Sequence, residues 1–399
     1  MKQQNIIMLC QQSWDIDLGF NAKNLAKEFA KDNRVLFVNM PLDVNTVVKG
    51  YRQADVRRRL RIVLGQEESL VKAGPNLWVL TPRVLGLSIN WLSSRKTFGL
   101  LNRWNSKLLA GDIRRAARAL GFADFHFFQD GIIHQGLELK ELLAPQTSVY
   151  YVRDYMLKQP YFRRHGPWVE AQLMRQADVV VANSAYLNDY AREHNPRSYD
   201  IGQGCVLSLY QAETDYPAPA DLAAVPRPII GYTGYLTALR LDADLLLALA
   251  RQRPDWSLVL VGPEDEDFQR SPLHDLPNVF FLGSKRPEQL APYVQQFDVC
   301  INPQLVNELT VGNYPLKIDE YLAMGKPVVA THTRAMDMFA PYTYLARAPT
   351  EWPALLERAL AEAGPGPAAE RIAFARGHTW EASAHALYAA LAWPEPELV

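Results

Sequence analysis

The chain has 399 residues, 48% hydrophobic and 21% charged, with a formal net charge of -1. This is ordinary globular composition of two-domain length, so it argues against wholesale disorder. The balanced charge supplies no global basic field for a nucleic acid, and any anionic ligand must be held by local groups.

Cys10, Cys205 and Cys300 are far apart and form no CxxC or Cys/His cluster. That argues against a zinc site or disulfide framework and fits a reducing compartment. Cys10 and Cys300 lie in apolar runs and read as small buried hydrophobes. The opening MKQQNIIMLCQQSW has too short an apolar stretch for a signal peptide. No run reaches the ~18 apolar residues of a membrane span. The expectation is a soluble, cytoplasmic protein, peripheral to a membrane at most.

In chain order, 6–10 reads as a buried strand, 21–31 as an amphipathic helix and 35–39 as a strand. Strand–helix–strand order implies a parallel sheet with crossover helices. Further strands are expected at 77–81, 125–129, 148–152 and 179–182, with helices at 99–120 and 166–177. Residues 210–228 are rich in Pro and Ala, lack an apolar period and read as a linker. Alternation then restarts, with strands at 229–232, 257–261, 279–282, 299–302 and 327–330. Helices are expected at 242–252, 287–296, 317–324, 351–362 and 379–391. The expected organisation is an N-terminal α/β domain (1–209), the linker (210–228), a second α/β domain (229–375) and a C-terminal helix (376–399) placed to pack back on the first domain. In such α/β units the default ligand site lies beyond the carboxyl ends of the strands, in the cleft between the domains.

The segment 312–330, GNYPLKIDEYLAMGKPVVA, carries the most chemistry. Pro315 suits a first helical turn, and a helix start there offers backbone N–H groups and a positive dipole to a phosphate. Lys317 adds a full charge. Glu320, one turn on and on the same face, disfavours phosphate but can accept hydrogen bonds from ribose hydroxyls. The bland alternative is an exposed i, i+3 ion pair. Gly325 and Pro327 punctuate the helix end.

This segment resembles the donor-site signature of GT-B glycosyltransferases of the family 4 type. GYTGYL (231–236), WSLVLVGP (256–263) and the 278–303 stretch occur in that family's order and spacing, and ADVVVANSAYL (177–187) with IGQGC (201–205) resembles the end of its acceptor domain. The resemblance implies an α/β GT-B fold of two Rossmann-like domains facing each other across a cleft. It further implies a retaining transfer from a nucleotide-diphosphate sugar to a glycan or lipid-linked acceptor, with no cofactor and no metal. It matches Glu320 to the ribose contact, and Lys317 with the Leu316 and Lys317 amides to the diphosphate. The glycine turn at Gly234 belongs to the same site, and Ser284, Lys285 and Arg286 match the loop that meets the base. Gln129 and Asp130 fall where the family often has a histidine, and Asp154 is a further candidate. Two departures stand out. Gly312 replaces the first of two family glutamates, and Tyr235 replaces an arginine, with Arg240 nearby and Lys317 as the substitute cation.

Other features carry less. Glu264–Asp267 (EDED) reads as a solvated loop rather than a metal cluster. Gly202-x-Gly204 lacks dinucleotide spacing, and His126 with His134 lacks the ligands of a zinc site. The five arginines within 52–61 fit a solvated helix face or an anionic lipid surface equally, with 85–91 and Trp104 as interfacial companions. The readings competing with surface-polysaccharide or glycolipid assembly are a catalytically silent GT-B scaffold and a sugar-nucleotide epimerase.

Overall fold

The computed structural model describes residues 3–16, 21–307, 310–362 and 364–392. The final residues of the expected C-terminal helix, 393–399, lie outside them. The chain forms two compact units. One holds the residues up to Gly202 together with those from Ser383 onward, and the other holds Gln203–Ala382.

The first unit is built on an eight-stranded sheet, ordered β10-β9-β8-β7-β1-β2-β5-β4. Its strands are β1 (Asn5–Cys10), β2 (Arg34–Val38), β4 (Leu70–Gly74), β5 (Leu77–Leu80), β7 (His126–Asp130), β8 (Thr147–Val152), β9 (Val179–Ala182) and β10 (Ser198–Asp200). All pairs are parallel except β4–β5, which is antiparallel. A two-stranded parallel ladder joins β3 (Leu42–Asp43) to β6 (Leu85–Gly86). The helices are α1 (Asn21–Asp32), α2 (Val44–Gly50), α3 (Ala54–Val63), α4 (Arg95–Ala119), α5 (Leu139–Leu143), α6 (Gly166–Gln176) and α7 (Ala185–Arg192). Strands such as VVVA in β9 are buried along their whole length, as parallel strands covered on both faces must be.

The second unit has a six-stranded parallel sheet, ordered β13-β12-β11-β14-β15-β16. Its strands are β11 (Ile229–Thr233), β12 (Ser257–Val261), β13 (Val279–Phe281), β14 (Val299–Asn302), β15 (Val328–Thr331) and β16 (Tyr344–Ala346). The helices are α8 (Ala243–Gln252), α9 (Glu266–Gln269), α10 (Leu290–Gln296), α11 (Leu316–Ala323), α12 (Trp352–Leu360) and α13 (Gly366–Ala375), while α14 (Trp380–Ala392) belongs to the first unit from Ser383 onward. One core layer packs α10, α11 and α13 on one face of the sheet. The other packs α8 and α12 on the opposite face. The strand order reverses direction between β11 and β14, which in open α/β sheets marks the ligand crevice.

Residues 210–228, read from composition as a linker, pack with the second unit. Tyr210 and Leu222 join its core, and Asp221 accepts from Lys285 Nζ at 2.9 Å and from Tyr293 OH at 2.9 Å. Proline and alanine content identifies a segment without regular structure, not one without contacts. At the other end, Tyr388 of α14 packs on Phe29 at a 5.7 Å ring separation and accepts from Asn33 Nδ2 at 3.2 Å.

Candidate functional site

The site grows from the end of β11. Ile229–Thr233 is fully buried, and its last amide, Thr233 N, donates to Tyr321 OH of α11 at 2.8 Å. Tyr321, Ile318 and Leu322 bury one face of α11 in the core. The strand end and the helix are therefore pinned together. Gly234 follows with φ +138°, and a Cβ there would sit 3.2 Å from Lys317 Cε. Gly262, after β12, allows the same turn to close, since a Cβ at that position would lie 1.8 Å from the Gly234 carbonyl oxygen.

These elements enclose a cavity of about 600 Å³, lined by Tyr232, Gly234, Tyr235, Thr237, Arg240, Leu290, Asn302, Gln304, Asn313, Tyr314, Leu316, Lys317 and Glu320, among others. Its volume falls in the range of small-molecule sites, and it lies at the carboxyl ends of β11 and β14. Pro315 caps α11 from outside rather than occupying its first turn. The Leu316 and Lys317 amides open the helix and have no intrahelical partner. Lys317 Nζ sits 4.7 Å from the centre of the Tyr232 ring, which holds the cation in place.

Burial pushes the Glu320 carboxyl above its usual range, while the Tyr210 hydroxyl and the Lys317 charge pull it back. Its neighbour Asp319 is fully buried. Asp319 accepts from Tyr314 OH at 2.7 Å and lies 2.6 Å from His378 Nδ1. Burial raises Asp319 too, against the lowering effect of His378. The cavity thus offers helix amides and the cations Lys317 and Arg240 for an oxyanion, and beside them the Glu320 carboxylate as an acceptor for hydroxyls.

Of the residues expected from sequence, Gly234, Tyr235, Arg240, Leu316, Lys317 and Glu320 line this cavity together. Gly312 is buried and outside the lining, which its neighbours Asn313 and Tyr314 form. Ser284, Lys285 and Arg286 are not among the residues that line this cavity. Lys285 is held by Asp221, with its ammonium 5.3 Å from the Tyr293 ring centre. Arg286 instead opens the turn that leads into α10, whose Leu290 reaches the wall.

Gln129, Asp130 and Asp154 belong to the first unit. Gln129 is 3% exposed, and its Oε1 finds no hydrogen-bond partner among the described residues. Asp130 is fully buried, and Arg153 Nε donates to it at 2.7 Å. Arg153 also donates to Asp154 at 3.2 Å. Asp130 is therefore an anchor for Arg153 rather than an open carboxylate, and burial raises its pKa against that guanidinium. His134 is enclosed by Phe98, Tyr161 and Phe162, and burial lowers its pKa to about 4.

Glu264 lies 2.8 Å from His274 Nε2, and Asp265 accepts from Phe268 N at 2.8 Å to cap α9, so the acidic run is structural. In the basic run, Arg58 pairs with Asp15 at 3.2 Å, Arg59 donates to the Met40 carbonyl at 2.6 Å and Arg61 pairs with Glu67. Sequence reasoning missed Tyr210, His378 and Leu290. Each lies far along the chain from the motif it serves, and no local spacing announces it.

The fold is GT-B, with two Rossmann-like α/β units. Sucrose-phosphate synthase from Thermosynechococcus elongatus superposes with a TM-score of 0.67 at 18% identity, covering 98% of this chain and 99% of that one. Anabaena HepE in complex with UDP and glucose gives 0.66 at 15% identity, covering 98% and 100%. OtsA gives 0.68 at 12% identity, covering 99% and 100%. Residues 227–361 carry the Glycosyl transferases group 1 family pattern. TuaH of Bacillus subtilis, assigned as a teichuronic acid biosynthesis glycosyltransferase, is 29% identical over 184 residues, which span 44% of this chain and 46% of that protein. The match thus spans less than half the length of that curated relative.

Proposed function

We propose that this protein is a glycosyltransferase that binds a nucleotide-diphosphate sugar in the cavity at the start of α11. It passes the sugar, with retention of configuration and no protein-bound metal, to a glycan or lipid-linked acceptor in surface-polysaccharide or glycolipid assembly. The observation that carries the reading is the convergence of the α11 amides, Lys317 and Glu320 on one cavity. Negative charge develops on the diphosphate as the glycosidic bond breaks, and preorganised amides with a fixed cation stabilise it without reorganisation. Glu320 orients the nucleoside by its ribose hydroxyls. On a single-face transfer the departing phosphate takes the acceptor proton, so no dedicated protein base is assigned. UDP in HepE supports a uracil nucleotide as the first probe.

The acceptor falls to the first unit and the cytoplasmic side of a membrane. Trp91, Leu100 and Trp104 are 70%, 73% and 45% exposed there, an amphipathic surface suited to an interface. Arg58, Arg59 and Arg61 of the basic run have partners within the chain, and Arg52, Arg57 and Arg61 are exposed.

The test is thermal stabilisation by a panel of nucleoside diphosphates and their sugars. Ligand at a hundred times its Kd adds about 2.7 kcal/mol. Stabilisation by one nucleotide, lost in Lys317→Ala and Glu320→Ala, supports the reading. A flat panel sinks it in favour of the silent scaffold.

A further inference from the structure

Asn39, Asn105 and Asn195 are buried, and both ends of each side-chain amide are engaged within the protein. Asn39 accepts from Trp14 N at 2.8 Å and donates to Thr81 Oγ1 at 3.0 Å. Asn105 accepts from Leu87 N at 2.8 Å and donates to the Leu87 carbonyl at 2.9 Å. Asn195 donates to the Met174 and Ala177 carbonyls at 2.7 and 2.9 Å and accepts from Arg197 N at 2.9 Å. Asn302 is buried just as deeply, at 2% exposure, but its side-chain amide forms no hydrogen bond with any described residue. It lines the cavity at the start of α11.

The strand explains its place. β14 pairs Cys300 with Val328, Ile301 with Val329 and Asn302 with Ala330. Cys300 belongs to the core layer that holds α10, α11 and α13, and Ile301 to the opposite layer. Alternation returns Asn302 to the α11 face. β14 adjoins β11 on the side away from β12 and β13, and β13 is the strand that leads into α10 and Leu290. Gln304, two residues on, also reaches the cavity, but its Nε2 is committed to the Thr310 carbonyl at 2.8 Å.

We propose that Asn302 binds the transferred sugar, its amide donating to one sugar hydroxyl and accepting from another. This rests on the donor-site reading above. In that reading the diphosphate lies at the Gly234 turn, against which Lys317 packs. The nucleoside extends toward Leu290, and the sugar toward the end of β14. An amide donates and accepts, as hydroxyls do, so each satisfies the other. Lys317 and the α11 amides recognise any nucleoside diphosphate, whereas Asn302 recognises what the diphosphate carries. A buried polar group without a protein partner weakens the fold, and it is kept where a ligand completes it.

The experiment measures Kd by calorimetry for UDP, dTDP, GDP and ADP, and for UDP-glucose, dTDP-glucose, GDP-mannose and ADP-glucose. The nucleotide that binds wild type most tightly, and its sugar form, are then titrated into Asn302→Ala and Asn302→Leu. Both variants should weaken the nucleotide sugar about fivefold to tenfold, the worth of a neutral hydrogen bond, and leave the free nucleotide unchanged. Lys317→Ala should weaken both ligands, since both carry the diphosphate. Without ligand, Asn302→Leu should melt at or above the wild-type temperature, because it loses no hydrogen bond within the protein. Unchanged affinity for the nucleotide sugar in both variants overturns the proposal. Equal weakening of the free nucleotide also overturns it, by placing the amide on the nucleotide. A melting temperature well below wild type in Asn302→Leu makes Asn302 a structural residue instead. Wild type that binds the nucleotide and rejects its sugar form removes the sugar contact and leaves the nucleotide site standing. Wild type that binds none of these ligands overturns the donor site itself, and the role of Asn302 with it.

Discussion

At the scale of single residues, Lys317 and Glu320 bring opposite charges to one cavity, and the proposed donor site gives each a separate task. Lys317→Ala should weaken UDP by about 1.5–3 kcal/mol, the worth of a charge-assisted contact, without a matching loss of stability. An unchanged Kd would show that the cation over Tyr232 faces something other than phosphate. The Glu320 carboxyl sits above its usual range because it is buried. A hydroxyl acceptor must be ionised to act at full strength. UDP binding should therefore weaken as pH falls through that raised pKa, and Glu320→Gln should flatten the profile. Both residues were legible in the sequence because they share a contiguous motif with the loop and helix that orient them. His378 was not, since its contact with Asp319 spans 59 residues of chain. The surroundings of Asp130 were not legible for a related reason. Strand position predicts where a side chain begins, but the Arg153 partner that closes it off is a tertiary fact.

At the scale of elements, the turn after β11 stands on the turn after β12. Gly262→Ala would place a methyl group 1.8 Å from the Gly234 carbonyl oxygen, so one turn must move. The expected cost is about 1–3 kcal/mol of stability, and nucleotide affinity should fall with it because the Gly234 turn carries Lys317 against its face. Chemical denaturation and calorimetry on the same preparation check both. A variant that unfolds earlier yet binds UDP normally would separate the turn from the site. The parallel strands were readable because burial on both faces makes them continuous apolar runs, as in SLVLV of β12. The antiparallel edge strand β4 was not, since LVKAG is mostly exposed and shows neither an apolar run nor alternation. The short helices α2 and α5 escaped for lack of turns over which a period can be seen. Residues 210–228 were read as a linker, and their contacts went unseen because contacts, unlike composition, leave no periodic trace.

At the scale of the whole molecule, stability carries a pH signature from the first unit. Glu170 is 2% exposed and accepts from Tyr150 OH at 2.9 Å and Tyr190 OH at 3.0 Å. Burial nevertheless raises its pKa to about 7 from a model-compound value of 4.5. The folded state thus holds this proton more tightly than the unfolded state. Its contribution is fully present below the unfolded value and is lost as pH rises through the folded one. Glu170→Gln, which cannot ionise, should gain about 1–3 kcal/mol on wild type between pH 5 and pH 8 in urea unfolding. Parallel curves at both pH values would mean that the carboxyl ionises without penalty. On the surface, Trp91→Ser with Trp104→Ser should reduce sedimentation with anionic vesicles if the exposed apolar face meets lipid, and an unchanged bound fraction would remove the membrane from the reading.

The last helix also has a consequence in time. Ala384, Leu387 and Ala390 of α14 are buried, and Tyr388 packs against Phe29. These residues complete the unit that contains the beginning of the chain. A ribosome that has reached Ala382 has therefore made everything the second unit needs, while the first still lacks the helix that covers Phe29. The first unit is thus begun before the second and completed after it, and until then α1 presents an apolar surface for which a chaperone would compete.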